Sequence, residues 1–292
     1  MRLHLPEHSG TIHLKLENLQ PIGSFKLRGA LNALLQTPSE ELQEGVVTAS
    51  AGNMGQGVAW AARELGVPCA VVVPEHAPET KLAAIERLGA RVVKVPYDRW
   101  WEAIATSSFP EVPGIFVHPV QDDRVMAGNG TIGLEILDDL PEVEAVLVPF
   151  GGGGLSVGIA SAVKALRPEA KVYAVEPETG APLTAALELG EPRAVEYETS
   201  FVDGSGAPAL LPAMWPLAQG ALDGAFSVSL DETAAAVRLL AERARVVAEG
   251  AGGLALAAAL AGRAGSGTVV CIVSGGNIDS WKLAKILAGE TP

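Results

Sequence analysis

The chain has 292 residues, of which 34 are acidic and 21 basic, so its formal net charge is −13. This charge argues against a nucleic-acid-binding protein, because neutralising phosphates needs a surplus of Lys and Arg. With 48% hydrophobic and 19% charged residues, the composition excludes a disordered chain. Glycine is in excess, with 33 residues, against a usual share of about 7%.

Short β-branched runs alternate with longer helical patterns along the chain, which predicts parallel sheets covered by helices. The predicted strands are 12–17, 46–49, 70–73, 91–95, 145–149, 172–175 and 269–273. The predicted helices are 24–36, 54–65, 80–88, 156–166, 233–245 and 252–260. Ser24 is predicted to cap the first helix. Residues 45–121 contain their own strand and helix alternation and are predicted to form a small domain, inserted in a large cofactor-binding domain of 1–44 and 122–292.

The two cysteines, Cys69 and Cys271, lie in apolar runs and are expected to be buried thiols of a reducing compartment. The N-terminus has no apolar signal core, and the smoothest apolar stretch, 250–261, is too short to cross a bilayer. We therefore expect a cytoplasmic protein with no membrane partner. The five histidines, at positions 4, 8, 13, 76 and 118, show no metal-binding spacing, so no metal is predicted.

The strongest local motif is Gly151-Gly152-Gly153-Gly154-Leu155-Ser156, between a predicted strand and a predicted helix. Backbone N–H groups without side chains, next to a positive helix end, can hold a phosphate, although a tight turn is the alternative. Glu176 ends the next strand, as a ribose-binding acid does in dinucleotide folds. The G-x-G-x-x-G fingerprint is absent here, so a nicotinamide-dependent oxidoreductase stays an open alternative with little support.

A second motif surrounds Lys26, in the run Gly23-Ser24-Phe25-Lys26-Leu27-Arg28-Gly29. Lys26 lies in the first turn of its predicted helix, where the positive helix end disfavours a protonated amine. An unprotonated amine suits Schiff-base chemistry. A solvated lysine on an amphipathic helix is the simpler alternative.

Two further segments each end a strand, where ligands bind in α/β sheets. The first is Ser50-Ala51-Gly52-Asn53-Met54, whose free N–H groups and polar side chains could hold a carboxylate or an aromatic hydroxyl. The second is Ser274-Gly275-Gly276-Asn277. Alone, either segment is equally a capped turn or a loop.

In this order, the four segments closely resemble the pyridoxal-phosphate enzymes of the tryptophan-synthase-β-like fold (fold type II). Within that fold they are most similar to the threonine/serine dehydratase and serine racemase group. The resemblance covers nearly the whole chain, including 116–119 and 127–135. It implies an α/β protein of two open twisted, mostly parallel sheets covered by helices, and a homodimer.

The resemblance also implies a role for each matching residue. Lys26 would form the internal aldimine with pyridoxal 5′-phosphate and act as the catalytic residue, with Phe25 near the ring. Asn53 would bond the ring hydroxyl, and Ser274 would face the pyridine nitrogen. The phosphate would be bound by Gly151, Gly152, Gly153, Gly154 and Leu155. The substrate carboxylate would be surrounded by Ser50, Ala51, Gly52, Asn53 and Met54.

The implied reaction is β-elimination, which dehydrates and deaminates L-threonine and/or L-serine to 2-oxobutanoate or pyruvate plus ammonia. Similar serine racemases carry a second serine where Ala51 stands, so dehydration is favoured over racemisation. Serine racemase and hydroxyaspartate dehydratase remain alternatives in the family. A homologue that binds its ligand but has no catalytic activity is a further alternative. Glu176 matches a carboxylate of the family's Mg²⁺/Mn²⁺ site, but Pro182 replaces the companion acid, so no metal ligands are assigned. Because the sequence ends shortly after Asn277, inhibition by isoleucine is not expected.

Overall fold

The computed structural model describes residues 1–5 and 10–292. The chain divides into two compact units, which we call the large unit (1–24 and 130–292) and the small unit (25–129). The small unit therefore interrupts the large unit in sequence. The predicted small domain, 45–121, lies within the small unit, and its boundaries stay a prediction.

Most of the predicted strands and helices are present, with bounds that differ by a few residues. The described strands are β1 (Arg2–Leu3), β2 (Thr11–Leu16), β3 (Val46–Ala49), β4 (Cys69–Pro74), β5 (Arg91–Val95), β6 (Ile115–Phe116), β7 (Ala145–Pro149), β8 (Lys171–Pro177), β9 (Gly224–Val228) and β10 (Thr268–Val273). The described α-helices are α1 (Lys26–Leu35), α2 (Asn53–Leu65), α3 (Glu79–Arg87), α4 (Tyr97–Thr106), α5 (Asp123–Asp139), α6 (Gly154–Leu166), α7 (Pro182–Leu189), α8 (Met214–Ala221), α9 (Leu230–Leu239), α10 (Gly250–Leu260) and α11 (Ser280–Leu287). Within the described residues, no helix combines the length and apolar character needed to cross a membrane.

The large unit contains a six-stranded sheet in the order β1-β2-β10-β7-β8-β9. Only the short edge strand β1 runs antiparallel to its neighbour, so the sheet is mostly parallel, as predicted. Strand β7 is buried at every residue and β10 at every residue but the first, which is typical of a parallel sheet covered on both faces. Parallel strands end at one common edge, and this edge carries the loops after β7 and β10.

Helix α10 packs against the centre of this sheet and is buried from Gly250 to Ala259. Its small residues permit close neighbours: a Cβ at Gly253 would lie 2.7 Å from Val237 Cγ2 of α9. Helix α9 begins at Leu230, earlier than predicted, because Ser229 and Glu232 form a capping box. It ends in a π-helical turn, Leu240–Ala244.

The small unit contains a four-stranded sheet in the order β5-β4-β3-β6, and all of its pairings are parallel. Strand β3 is buried at every residue. Helices α1 and α2 pack against each other around Ala30, Ala33, Leu34 and Val58. The N-terminus of α2 therefore follows directly from the central, buried strand of its sheet.

The prediction that Ser24 caps α1 is wrong. Phe25 occupies the N-cap position, and no side chain caps the helix. Ser24 instead forms an isolated antiparallel bridge with Gly275, and its side chain is fully buried. The pairing with Gly275 fixes Ser24 in an extended bridge, so Ser24 does not cap the helix.

Candidate active site

Residues 151–154 of the large unit, which we call the glycine loop, lie between β7 and the start of α6, as the sequence predicts. Gly153 is the N-cap of α6 and has a φ of +97°, a conformation that favours glycine. A Cβ at Gly151 would lie 2.9 Å from the carbonyl oxygen of Gly204, so a larger residue would clash with the chain there. The loop thus presents a helix start and backbone without side chains, which is an arrangement suited to a phosphate.

Ser274 follows β10, the sheet neighbour of β7, so its loop lies at the same edge as the glycine loop. The residue is 3% exposed. Helix α10 holds this loop closely, since a Cβ at Gly252 would lie only 2.5 Å from the Gly275 carbonyl oxygen. That carbonyl accepts a hydrogen bond from the Glu249 backbone nitrogen at 3.0 Å. The Ser274 hydroxyl is therefore placed by rigid neighbours.

The segment before Ser24 fixes the same loop from another side. The Gly276 backbone nitrogen donates to the Gly23 carbonyl oxygen at 2.8 Å, and Asn277 Nδ2 donates to the Ile22 carbonyl oxygen at 2.9 Å. The buried Ser24 hydroxyl has no hydrogen-bond partner within the described residues. An unpaired buried hydroxyl costs stability and is uncommon away from functional sites.

Glu176 is the next-to-last residue of β8, and its side chain contacts the start of α7. The carboxylate is fully buried and accepts hydrogen bonds from the Leu183 nitrogen at 3.0 Å, the Thr184 nitrogen at 2.8 Å and the Thr184 hydroxyl at 2.7 Å. Burial raises its pKa, although these hydrogen bonds act in the opposite direction. In residues 1–5 and 10–292, no three His, Cys, Asp or Glu side chains are grouped to hold a metal. This donor set does not fit a divalent cation.

Lys26 is the first residue of α1 in the small unit. Its Nζ atom lies 3.2 Å from the Pro119 carbonyl oxygen, to which it donates a hydrogen bond. The same atom lies 5.1 Å from the centre of the Phe25 ring. The partly buried amine therefore contacts a neutral carbonyl and an aromatic ring at the start of a helix.

The segment 50–54 connects β3 to α2, as the sequence predicts. Ser50 Oγ accepts a hydrogen bond from the Gly52 nitrogen at 3.2 Å, and Asn53 is the first residue of the helix. A Cβ at Gly57 would lie 3.0 Å from the Lys26 carbonyl group, so the starts of α1 and α2 are in close contact. Met54 is 2% exposed and belongs to the core. Any contact of Met54 with a ligand is therefore limited to its backbone.

His118 is a buried residue of the small unit whose role the sequence does not reveal. Its Nδ1 atom accepts hydrogen bonds from the Val120 nitrogen at 3.0 Å and the Gln121 nitrogen at 2.8 Å. The backbone of Ile104 acts on the pKa of the ring in the direction opposite to burial, raising it. Burial lowers the pKa of the imidazole, so the ring is neutral, with its proton on Nε2. Only the strand-end sequence Val117-His118-Pro119 could have drawn attention to this residue.

The predicted site residues thus fall into two sets. The small unit carries Phe25 and Lys26 at the start of α1, the turn at 50–54 before the neighbouring helix α2, and the Pro119 carbonyl that Lys26 contacts. The large unit places the glycine loop and Ser274 on neighbouring strands. The role of each residue stays a prediction at this point.

Comparison with known families decides between the open classes of function. Residues 2–275 match the family of pyridoxal-phosphate-dependent enzymes. The chain belongs to this family. The enzyme therefore uses pyridoxal 5′-phosphate, and its residues fit this cofactor: the glycine-lined helix start suits a phosphate, the Lys26 amine suits an aldehyde, and the Ser274 hydroxyl suits a ring nitrogen.

The relatives of this pyridoxal-phosphate enzyme include both ammonia-lyases and racemases. The chain is 43% identical over 281 residues to an L-threonine ammonia-lyase of Thermotoga maritima, and the match covers 95% of this chain and 70% of the relative. It is 40% identical over 292 residues to the serine racemase of Mus musculus, covering 96% and 86%. The processed form of threonine deaminase isoform 2 from Solanum lycopersicum matches with a TM-score of 0.88 and 33% identity, covering 96% and 79%. The predicted fold class is confirmed.

Proposed function

We propose that this enzyme is a lyase that dehydrates and deaminates L-threonine and/or L-serine, giving 2-oxobutanoate or pyruvate and ammonia. The observation that carries the proposal is the grouping in the small unit. Helix α1, which begins at Lys26, packs closely against α2, which follows the turn at 50–54. At position 51 an alanine supplies no second proton-transferring group. The names of the threonine ammonia-lyase and threonine deaminase relatives support the same reaction.

The proposal gives each predicted cofactor-binding residue one role. Gly151 to Gly154 and Leu155 bind the phosphate through backbone N–H groups, and Ser274 hydrogen-bonds the pyridine nitrogen. Asn53 would bond the ring hydroxyl, and the Lys26 amine would hold the aldehyde group, with Phe25 against the ring. When bound, pyridoxal phosphate supplies an electron sink for the negative charge that develops at the substrate α-carbon.

The substrate carboxylate is bound by the turn at 50–54. The N–H groups at the start of α2, together with the side chains of Ser50 and Asn53, provide donors for an anion. The Lys26 amine would take the α-proton and hold it as an ammonium against the Pro119 carbonyl oxygen. The β-hydroxyl group would leave as water with a proton equivalent to the one that Lys26 removes, and the enamine product would react with water to give a 2-oxo acid and ammonia.

A neutral hydroxyl, rather than a carboxylate, faces the pyridine nitrogen in this proposal. Ser274 cannot stabilise a protonated ring as an aspartate would, so the electron sink is weaker. A weaker sink suits a reaction in which the α-carbanion collapses at once by expelling a β-leaving group. Ser274 is thus consistent with elimination.

Serine racemisation is the second candidate, because mouse serine racemase is 40% identical. Racemisation requires a proton donor on the face of the α-carbon opposite to the lysine. Since Ala51 has no hydroxyl, we rank elimination first. The cytoplasmic location and the homodimer remain predictions.

The test is a substrate panel on the purified holoenzyme. L-threonine, L-serine, D-serine and threo-3-hydroxyaspartate are each incubated with enzyme, and the 2-oxo acid and the enantiomers are measured. We expect 2-oxobutanoate or pyruvate from the L-substrates, without accumulation of D-serine. Accumulation of D-serine faster than pyruvate would favour the racemase.

A lysine pair tests the residue assignment. Borohydride reduction followed by peptide mapping is expected to place the cofactor mass on Lys26. The variant Lys26→Ala is expected to lose this adduct and 2-oxo acid production, whereas Lys285→Ala, on the exposed part of α11, is expected to retain both. A wild-type rate from cofactor-saturated Lys26→Ala would refute the assignment.

A further inference from the structure

The hydrogen bond between Lys26 Nζ and the Pro119 carbonyl oxygen depends on the conformation of a short turn, residues 118–121. A carbonyl oxygen offers a directional acceptor, and the angle of approach determines how an amine donates to it. The position of this backbone oxygen therefore contributes to the orientation of the Lys26 amine.

Several interactions of the small unit fix the turn. The His118 ring is 4% exposed, and its Nδ1 atom accepts the N–H groups of Val120 and Gln121, the two residues that follow Pro119. Rotation of the ring would move Nδ1 away from both of these N–H groups. On the strand side, the Thr48 hydroxyl of β3 donates to the Val117 carbonyl oxygen at 2.8 Å.

We propose that His118 is a positioning residue for Lys26, acting through the Pro119 carbonyl oxygen. The neutral imidazole holds the turn by accepting two backbone N–H groups, which no apolar side chain of similar size can do. The fixed carbonyl then orients the amine and stabilises the ammonium that forms when Lys26 takes a proton. This inference rests on the proposed function of Lys26 but not on the identity of the substrate.

Two substitutions separate the acceptor from the bulk of the ring. In His118→Asn, the amide oxygen stands near the position of Nδ1 and keeps an acceptor for the two N–H groups. In His118→Phe, the size is kept and both polar ring atoms are lost. His76→Phe serves as the matched control, since His76 is an exposed histidine of the same unit.

The first readout uses the apoenzyme, so it is independent of catalysis. Amines are labelled with a limiting amount of acetic anhydride, and the Lys26 peptide is quantified against the Lys285 peptide by mass spectrometry. A carbonyl acceptor stabilises the unreactive protonated amine, so its displacement in His118→Phe should raise Lys26 labelling about three- to tenfold. His118→Asn and His76→Phe should match the wild type.

The second readout uses the holoenzyme with L-threonine and its 2-deuterated form. For His118→Phe we expect kcat to fall about tenfold, because a misplaced Lys26 amine transfers the α-proton more slowly. We expect KM to stay within about twofold of the wild type. The deuterium isotope effect on kcat should rise, since α-proton transfer becomes slower. His118→Asn should restore kcat to within about threefold of the wild type.

Unchanged labelling and an unchanged isotope effect in folded His118→Phe would overturn the proposal. Equal impairment of the Phe and Asn variants would also overturn it, because a merely structural ring would explain that result. Should the Phe variant fail to fold, His118→Gln, which places its polar atoms near Nε2 and lacks the Nδ1 acceptor, is expected to show the same changes. Activity that persists without Lys26 would refute the proposed function instead, and the apoenzyme labelling would still report on the turn.

Discussion

Thr184 donates two hydrogen bonds to one carboxylate oxygen of Glu176, from its backbone nitrogen at 2.8 Å and from its hydroxyl at 2.7 Å. The buried carboxylate thereby caps the start of α7. Removing the hydroxyl in Thr184→Val leaves the anion short of one donor. A hydrogen bond to a charged group contributes about 1.5–3 kcal/mol, so we expect a melting temperature several degrees lower by calorimetry. Thr184→Ser keeps the hydroxyl and should melt near the wild type; equal losses in both would contradict this role.

The same geometry predicts indifference to divalent cations at Glu176. Both carboxylate oxygens already accept protein donors, and no second acid of the described residues joins them. Adding millimolar Mg²⁺, Mn²⁺ or EDTA to the holoenzyme is expected to leave the melting temperature and the rate of 2-oxo acid formation unchanged. A cation-dependent stabilisation that disappears in Glu176→Gln would show that this site binds a metal.

Gly252 permits the close approach of α10 to the Ser274 loop, and an added methyl group should disturb it. In Gly252→Ala, the new Cβ would lie 2.5 Å from the Gly275 carbonyl oxygen. Overpacking of this kind costs about 1–3 kcal/mol, so we expect a lower melting temperature and weaker binding of pyridoxal phosphate by fluorescence titration. The control is Gly220→Ala in α8, where a Cβ meets nothing within 4 Å. That variant should be neutral or slightly stabilised.

Ala51 is the position at which a second proton-transferring group could be added. We expect Ala51→Ser to produce D-serine from L-serine at a rate at least about tenfold above the wild type, because a positioned general acid contributes about 10²–10⁴ in rate. Chiral chromatography of the reaction mixture measures this. Ala51→Gly changes the size without adding a hydroxyl, and it should not form D-serine.

His118 predicts an acid-sensitive contribution to stability. Burial lowers its pKa in the folded chain, with Lys26 adding to this effect and Asp122 opposing it. Below the unfolded value of about 6.5, the unfolded chain therefore binds a proton that the folded chain does not. The stability that depends on this ring is present above pH 6.5 and is lost as the pH falls towards the lowered pKa.

Calorimetry at pH 7 and pH 5 measures this contribution. The drop in melting temperature between the two pH values should be smaller for His118→Asn than for the wild type, and His76→Asn should behave as the wild type. An equal drop in wild type and His118→Asn would exclude a contribution from this ring.

Local sequence predicts the buried strands well and the tertiary contacts poorly. Strands β3 and β7 begin and end at the predicted residues, because each is a short run buried at every residue. Strand β5 also has the predicted bounds, although it is a partly exposed edge strand. Strand β9 is not predicted, because its half-buried sequence Gly-Ala-Phe-Ser-Val contains no β-branched apolar run.

Helix α5 shows the same limit. Its glycines 128, 130 and 133 disfavour a helix by local propensity. Each is explained by packing: a Cβ at Gly128 would lie 2.5 Å from the Arg28 carbonyl oxygen, and Cβ atoms at Gly130 and Gly133 would approach Gly158 and Ile159 of α6. Close packing with neighbouring segments therefore explains the three glycines of α5, a helix that local propensity does not predict.

The candidate site likewise contains residues that the sequence predicts and contacts that it does not. Lys26, the turn at 50–54, the glycine loop and Ser274 lie at element ends, where chain order already predicts ligand contacts. The Pro119 carbonyl and its support by His118 depend on a turn far from Lys26 in sequence, as does the pairing of Ser24 with Gly275. Periodicity and spacing in the sequence do not predict contacts between segments this far apart in the chain.

The pairing of β2 with β10 constrains the order in which the protein can fold during synthesis. All six residues of β2, near the start of the chain, pair with 268–273, near its end. The strands of the small unit all lie between residues 46 and 116, so its sheet can be complete while the ribosome is still translating the large unit. Until β10 emerges, β2 lacks its partner on that side and exposes backbone groups that can pair with other chains. The nascent chain therefore carries an unpaired strand edge while residues 17–267 are translated.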